Sequence, residues 1–531
     1  MKGMLCSIIL MLATLSPSVF GADTEASAGP RFEIKRFVVK GATLLPPSRI
    51  EALLQPHTGA QQDFAAVQRA IRSLERGYSD AGYSAVQVIL PEQELRDGIV
   101  RLEVTELAVG RLVIEGNRNF DETNIRRTLP AIAPGAAPNV DAIARNLRTA
   151  NESPAKNTTV LLRQGETPGT VDVLARVSDQ KPWRAGITLD TTGTPNTGMY
   201  RLAFSAQDAN LFNRDQVLSA QYITAPENPR KVTIVGIGYH IPIYSRGDSL
   251  DLAYVFSDVN SGQVATSAGN FGISGGGHFT TLRYNLNLAR RGNWDNRFIF
   301  GADWRQYSNQ VLFNGVGTSV VPDLEVHPLS VSYSRRQRTD GDDLSLFLSV
   351  IRNIPGGGYG SASALNQAGA RPGANPWYTI YRYGASYLRV LPRDWQIRTA
   401  MNGQHTNDML ITGEQFGLGG MDSVRGFIER EIANDRGIRA SVELYTPDLG
   451  VGLDQGIRSR ALVFFDHGYI NRLRPLAAEL RSETISSIGL GLRGSYRDSL
   501  TMRLDLGSVM QSGGLQSAND TRLHGSVSMF F

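Results

Sequence analysis

Leu500-Thr501-Met502-Arg503-Leu504-Asp505-Leu506 puts an apolar side chain at every second position and Arg503 and Asp505 in the gaps. Successive side chains of a strand point to opposite faces, so this stretch makes a ribbon with one apolar and one polar face. The same texture recurs in Tyr200, Leu202, Phe204, Ala206, in Leu250, Leu252, Tyr254, Phe256 and in Leu344, Leu346, Leu348, Val350. Between them sit Arg201, Ser205, Gln207, Asp251 and Ser349. From Pro182 to the last residue this period-2 alternation dominates.

About 16 such segments follow one another, starting near 183, 198, 215, 231, 248, 277, 296, 327, 343, 378, 394, 436, 460, 484, 499 and 521. Mostly short connections (208–214, 241–247, 289–295, 494–498) alternate with mostly longer ones (258–276, 310–326, 354–377, 405–435), and 447–459 is an exception. An even strand number and this turn-loop asymmetry are properties of a transmembrane β-barrel, whose polar residues face the lumen. Trp183, Trp294, Trp377 and Trp395 fall at predicted strand ends, where an aromatic girdle would sit. The chain closes with Leu523, Gly525, Val527, Met529 and Phe531 on one face. That ending resembles the C-terminal signal that barrel-assembly machinery reads.

Composition agrees. Downstream of residue 22 there is no run of about 18 apolar residues, which excludes a spanning helix. The 55 glycines favour turns and strands, and a net charge of +4 is too small for this length to argue for nucleic acid. Residues 1–22 read as a secretory signal: Lys2 is the positive start, Ile8 to Leu15 the apolar core, and Gly21 or Ala22 the small residue for cleavage. The only cysteine, Cys6, lies in that segment, so no disulfide or thiolate site is expected in the mature chain.

Two small mixed units precede the strands. Residues 31–107 begin with Phe32 and Ile34, a break, then Val38 and Val39. A helix with Ile50, Leu53 and Leu54 on one face follows, then one capped by Asp63 with Phe64, Val67, Ile71, Leu74 and Tyr78 at steps of 3 and 4. Strands at Val86 to Leu90 and Ile99 to Val104 complete a β-α-α-β-β order. Residues 108–179 repeat it with Leu112 to Ile114, a helix capped by Asp121 with Ile125 and Leu129, a helix with Val140, Ile143 and Leu147, then Thr159 to Leu162 and Val171 to Val177. The order resembles POTRA domains, the periplasmic polypeptide-binding modules of outer-membrane transporters. Gly82-Tyr83, Pro91, Gln93 and Gly98 resemble the first POTRA of two-partner secretion transporters in particular.

Two motifs in the 182–531 region strengthen that resemblance. The loop before the twelfth strand contains Val424-Arg425-Gly426-Phe427, and one strand later comes Phe464-Phe465-Asp466-His467-Gly468. Alternation puts Phe464, Asp466 and Gly468 on one face, expected to be the lumen. In this order they resemble the V-R-G-[FY] loop tip and the F-x-D-x-G docking strand of the superfamily of two-partner secretion (TpsB-type) transporters and barrel-assembly factors. The resemblance to the haemolysin activator and filamentous haemagglutinin transporter family runs from about Arg31 to Phe531. It implies that the loop folds into the barrel and that Arg425 pairs with Asp466, a bidentate contact able to pin a loop tip in a partly wet lumen.

The expectation is therefore a mainly β chain, a 16-stranded antiparallel transmembrane β-barrel (182–531) preceded by two POTRA domains. The resemblance implies a pore in the cell outer membrane that exports a large secreted TpsA-type exoprotein without nucleotide. Cargo would add a strand at the edges marked by Val86, Val88 and Leu90 and by Thr159 and Leu161. Further expected partners are outer-membrane lipid and, during biogenesis, periplasmic chaperones and the barrel-assembly machinery; the pore is expected to be monomeric, with no nucleic acid bound. An insertase of the same superfamily would usually carry three or more POTRA units, and a passive porin would need neither these domains nor the loop motif.

No enzyme, cofactor or metal is expected. Gly272-Ile273-Ser274-Gly275-Gly276 with His278 nearby fits G-x-S-x-G formally but lacks the following helix of a nucleophile elbow. The seven histidines show no metal-binding spacing. Family members often thread an N-terminal helix through the barrel, yet Asp23 to Pro30 leaves no room for the roughly 20 residues that about 30 Å requires. The sixth loop, about 405–435, is thus expected to be the chief obstruction of the lumen.

Overall fold

A computed structural model describes residues 31–259, 262–267, 269–273, 276–308, 323–366, 370–450 and 456–531. The expected signal segment, Asp23 to Pro30, and Ser274-Gly275 of the Gly-rich motif lie outside the described residues. The chain divides into two compact units, residues 1–107 and 108–531.

In the first unit, strands Arg36–Lys40 and Val86–Ile89 flank Ile99–Glu106, parallel and antiparallel to it respectively. Helices α1 (Pro47–Leu54) and α2 (Phe64–Asp80) pack on this sheet through Ile50, Leu54, Val67, Ile71, Leu74 and Tyr78. Asp63 caps α2 by accepting from the Ala66 amide at 2.8 Å. Two details differ from the sequence reading. Phe64, assigned to the buried stripe, is exposed at the first turn of α2. Gly59–Gln62 forms an unexpected strand against Phe32–Ile34, with no alternation of its own to announce it.

The second unit opens with the same arrangement. Ala108–Glu115 and Lys156–Gln164 flank Thr170–Asp179, again parallel and antiparallel. Helices α3 (Glu122–Thr128) and α4 (Val140–Ala150) cover the sheet, capped by Asp121 and Asn139. Both small sheets therefore leave a short antiparallel strand on one edge. Leu90 lies just past the first of these, Val86–Ile89, so the edge ends one residue earlier than expected.

Sixteen antiparallel strands then close into a barrel. They are Trp183–Asp190, Arg201–Leu211, Gln216–Thr224, Ile234–Ile243, Asp248–Ser257, Gly277–Asn287, Trp294–Tyr307, Pro328–Arg338, Asp342–Asn353, Thr379–Val390, Gln396–His405, Arg436–Tyr445, Ile457–Asn471, Ser482–Tyr496, Leu500–Gln511 and Thr521–Phe530. Leu324–Val326 extends the eighth along the seventh. The sixteenth pairs with the first from Ser526 opposite Asp190 to Phe530 opposite Gly186, and Phe531 donates to the Ala185 carbonyl at 2.9 Å. Outward positions such as Phe204, Leu252, Leu348, Phe465 and Leu506 expose apolar side chains, while Arg201, Asp251, Ser349 and Asp505 are buried inward. This is the inversion a lipid-facing wall requires. Trp183 and Trp294 open their strands, and Trp377 and Trp395 stand just ahead of theirs.

Glu106 ties the first unit together. Its carboxylate accepts from the Thr43 and Leu44 amides at 2.8 and 2.9 Å, from the Tyr78 hydroxyl at 2.8 Å and from the Thr43 hydroxyl. Burial alone would raise its pKa, but these donors outweigh burial and hold it below the usual glutamate range. A depressed folded pKa contributes stability above the unfolded value of about 4.3 and loses it as pH falls through the folded value. In excised residues 31–107, Glu106→Gln should cost about 1–3 kcal/mol at pH 7 and flatten the acid limb of stability below about pH 4.3. Urea titration followed by circular dichroism over pH 2 to 7 checks both; a variant with the wild-type acid limb would remove Glu106 as its source.

Candidate functional site: a loop latched inside the barrel

The connection between the eleventh and twelfth strands, residues 406–435, folds back into the barrel. Phe416–Leu418 and Ile432–Asn434 pair as a short antiparallel ribbon, and the tip Val424-Arg425-Gly426-Phe427 lies beyond it. Leu418, Val424, Phe427 and Ile432 pack with Ile470, Ile485 and Val509 of the wall. Apolar packing carries the tip inward. The charged group it carries needs a partner.

Arg425 meets that need with several. Its Nε donates to Asp466 Oδ2 and its Nη2 to Asp466 Oδ1, both at 2.7 Å, and its backbone amide donates to Oδ2 at 3.1 Å. Nη1 donates to Glu443 Oε1 at 2.7 Å and reaches Asp505 Oδ1 at 3.4 Å. The guanidinium plane lies 3.4 Å from the ring centre of Phe464. Ser441 donates to Asp466 Oδ1 at 2.6 Å, and Tyr445 to Glu443 Oε2 at 2.8 Å. Asp505 also accepts from Arg493 and Arg503, whose nearest approaches are 2.9 and 2.7 Å. With Arg398 3.6 Å from Glu443 and Asp422 paired with Arg503, four carboxylates face four guanidinium groups, so the cluster is near neutral. Balance of this kind lets so many charges leave water.

Geometry explains the companion residues. Val424, Phe427 and Phe464 are buried, and Phe464 supplies the surface on which Arg425 stacks. Gly426 has φ +96°, a left-handed conformation open to glycine, and its amide donates to His524 Nε2 at 3.0 Å. A Cβ at Gly468 would sit 2.7 Å from Leu418 and 3.1 Å from Val424, so the wall is hollowed there for the loop. Arg425, Asp466 and Phe464 are thus brought into one contact, and Gly468 accommodates it. Glu443, Ser441, Asp505 and His524 complete the site without any local signal that distinguishes them from other inward polar residues.

Two further pairs hold the loop's base. Arg305 on the seventh strand donates to both oxygens of Glu414 at 2.8 and 3.0 Å, and Tyr307 to Glu414 at 2.7 Å. Asp435 binds Arg371 and the Leu410 and Leu473 amides, the last two at 2.9 and 2.8 Å. A polar cavity of about 400 Å³ remains beside the tip, lined by Arg398, Asp422, Arg439 and Arg503 among others. A second loop also turns inward: Gly262–Thr266 and Gly269–Ile273 form a hairpin, and Ser267 donates to the inward-facing Ser219 at 2.6 Å. The sequence reading treats 258–276 as an irregular surface loop, and its glycines gave no alternation to suggest a hairpin. The surface-loop reading is corrected for Gly272 and Ile273, the part of that motif within the hairpin.

A closed sixteen-strand barrel with a charged loop latched within it and small β/α domains ahead of it defines an outer-membrane transporter. The profile described as Haemolysin secretion/activation protein ShlB/FhaC/HecB matches residues 169–494, and the ShlB-type POTRA domain matches 32–106. The chain belongs to this two-partner secretion family, whose barrels lie in the outer membrane with POTRA domains in the periplasm. Membership implies a secreted exoprotein as partner.

Among similar proteins are the heme/hemopexin transporter protein HuxB of Haemophilus influenzae, 21% identical over 465 residues, covering 84% of this chain and 78% of that one. Another is the outer membrane transporter CdiB of Dickeya dadantii, 24% identical over 419 residues, with 78% and 72% covered. The solved structure of CdiB from Escherichia coli has a TM-score of 0.76 at 19% identity, covering 98% of this chain and 93% of that chain. That likeness speaks to the fold.

The sequence reading placed Arg425 and Asp466 in a partly wet lumen. Their side chains are instead 3% and 0% exposed, which raises the cost of separating them. Asp466→Ala leaves Arg425 with Glu443 and Asp505, whereas Arg425→Ala leaves Asp466 without a cation, with only the Ser441 hydroxyl and the backbone amide of residue 425. Each should weaken the latch, by about 3–5 kcal/mol for Arg425→Ala and less for Asp466→Ala. The readout is cleavage of the 406–435 loop by protease added to intact cells: cutting should rise in Asp466→Ala and further in Arg425→Ala. Wild-type resistance in both would mean that packing alone holds the tip.

Proposed function

We propose that the chain exports a large unfolded exoprotein across the outer membrane, capturing it in the periplasm and passing it through the barrel. The observation that carries this reading is the pair of sheet edges, Val86–Ile89 and Lys156–Gln164, which among the described residues pair with no further strand, the second being open past Thr158, whose backbone bonds Asn151; both lie ahead of a pore in the chain. An open edge offers a row of backbone donors and acceptors, which binds an extended chain with little regard to its sequence. Val86, Val88, Thr159 and Leu161 supply the side chains beside those rows; Leu161 is 43% exposed. That tolerance suits a cargo of many different segments.

The latched loop supplies the gate. Arg425 and Asp466 keep the tip against the wall at rest, and a strand of cargo entering the lumen competes for the space beside them. No nucleotide enters the scheme, and folding of cargo outside the cell supplies direction. The pore acts as a monomer, in outer-membrane lipid, and its own biogenesis uses periplasmic chaperones and the barrel-assembly machinery. The domain limits that follow are a secretory signal at 1–22, POTRA units at 31–107 and 108–179, and the barrel from 182.

The experiment is co-expression with a very large secreted protein, where the neighbouring gene encodes one, measured in the culture medium. Removing residues 31–107 should abolish its appearance while leaving a heat-modifiable barrel that conducts in planar bilayers. Secretion by the truncated chain would assign capture elsewhere, and no secretion by the full chain would overturn the export reading.

A further inference from the structure

Within residues 108–531 the small domain and the barrel share one buried polar cluster. Lys156, the first residue of the edge strand Lys156–Gln164, has a fully buried side chain. Its Nζ donates to Asp215 Oδ2 at 2.6 Å and to Asn124 Oδ1 at 2.8 Å, and lies 4.9 Å from the ring centre of Phe120. Asp215 belongs to the turn between the second and third barrel strands and is 2% exposed. It also accepts from Asn124 Nδ2 at 2.8 Å and from the Tyr244 hydroxyl on the next such turn. Phe212, Asn213 and Asp215 hold φ values of 57°, 56° and 55°, a conformation that costs any residue with a side chain. The turn is shaped to deliver Asp215.

Contacts around the cluster widen the seat. Asn146 of α4 donates to the Tyr244 carbonyl at 2.8 Å, Arg127 to the Asn213 carbonyl at 2.8 Å, and Asn213 to Asp121 at 2.7 Å. Arg148 bonds the Leu288 carbonyl on a third turn, and Glu152 pairs with Arg297 at the start of the seventh strand. Ala209 and Val217 of the barrel belong to the same apolar core as Phe120, Ile125 and Val173 of the domain. Three turns in succession therefore grip one domain. A buried ion pair adds little stability over apolar residues of the same size; what it supplies is one permitted arrangement.

We infer that Lys156 is a positioning residue, which fixes the open edge Lys156–Gln164 at the barrel's periplasmic mouth so that the domain serves as a stationary rail for cargo and not as a swinging arm. This rests on the export reading above. The edge strand starts at the seat itself, and Asn151 bonds the Thr158 amide and carbonyl at 2.7 and 2.9 Å, so a segment added along the open part past Thr158 ends close to the barrel rim. A stationary edge keeps the local concentration of the bound segment at the mouth high, and a loosened one dilutes it.

The test uses the full chain carrying Cys6→Ser, with Asp121→Cys and Asn213→Cys joined by a short bis-methanethiosulfonate reagent, which forms a disulfide with each cysteine as methanesulfinate leaves, and as cargo a very large secreted protein where the neighbouring gene encodes one. Lys156→Met should lower secretion on the order of ten-fold, with heat-modifiable mobility and single-channel conductance unchanged. Bridging 121 to 213 in the Lys156→Met chain should restore secretion, which a tether could not do if Lys156 served only the folding of its own domain. The same bridge in the chain with native Lys156 should leave secretion unaltered. Arrest by that bridge, relieved by cleaving it, would show a domain that has to swing and would overturn the proposal. So would wild-type secretion by Lys156→Met, or failure of the bridge to form. Bridge yield, which should build more slowly in Lys156→Met, is read without cargo, so a chain that secretes nothing would sink the export reading while leaving the docking measurement standing.

Discussion

Inside hydrocarbon a backbone N–H has nothing to bond except another strand, so a sheet that crosses the membrane must leave no free edge there. The sixteenth strand meets this constraint by returning to the first, from Ser526–Asp190 to Phe530–Gly186, with Phe531 closing the last bond to Ala185. Gly186 gives the Phe530 ring room, since a Cβ there would lie 2.7 Å from it, and Arg184 stacks on that ring at 3.9 Å. Everything else follows from closure. Once every strand is paired on both sides, alternation decides which side chains meet lipid and which are turned inward together.

Turning polar residues inward creates a second problem, because charges brought close in a confined space repel unless their signs alternate. The wall solves it by arranging Asp466, Glu443 and Asp505 against Arg425, Arg493 and Arg503, with Arg425 arriving from the loop and not from the wall. Arg398 of the wall also approaches Glu443, at 3.6 Å, and Asp422 of the loop pairs with Arg503, so acids and bases balance on the wall as well as across the latch. What the loop adds is donors: when the tip leaves, Asp466 and Glu443 lose the bonds from Arg425, and water or another donor has to take its place.

How much of this was readable from sequence depended on whether the signal was local. Strand alternation is local, which is why strand starts near 248, 277, 343 and 436 match Asp248, Gly277, Asp342 and Arg436. Asp63 and Asp121 were legible as caps because the residues that follow have helical spacing. Arg425 and Asp466 were found through resemblance and order along the chain. Glu443 and Asp505 were not found, since every inward position of a barrel strand can be polar and nothing in the neighbouring residues separates a partner from a bystander. Lys156 lay ahead of the expected strand Thr159 to Leu162 and carried no local signal; its burial depends on Asp215, which is 59 positions away. Phe64 misled because a helical stripe predicts which residues share a face but not how far the partner sheet extends along it.

The two charged clusters divide the barrel between them. The tip of the sixth loop is held by the twelfth, thirteenth, fifteenth and sixteenth strands, through Glu443, Asp466, Asp505 and His524. The second small domain is held by turns after the second, fourth and sixth strands, through Asn213, Tyr244 and Leu288. They share no residue. A barrel wall is stiff along its hydrogen-bonded strands, so release of the tip in one sector need not disturb the seat in the other. The loop's base crosses over, where Glu414 meets Arg305 on the seventh strand, the strand whose other end carries Arg297 against Glu152 of the domain. If signals pass between cargo at the domain and the latch in the lumen, the seventh strand is in physical contact with both, through Arg297 and Arg305.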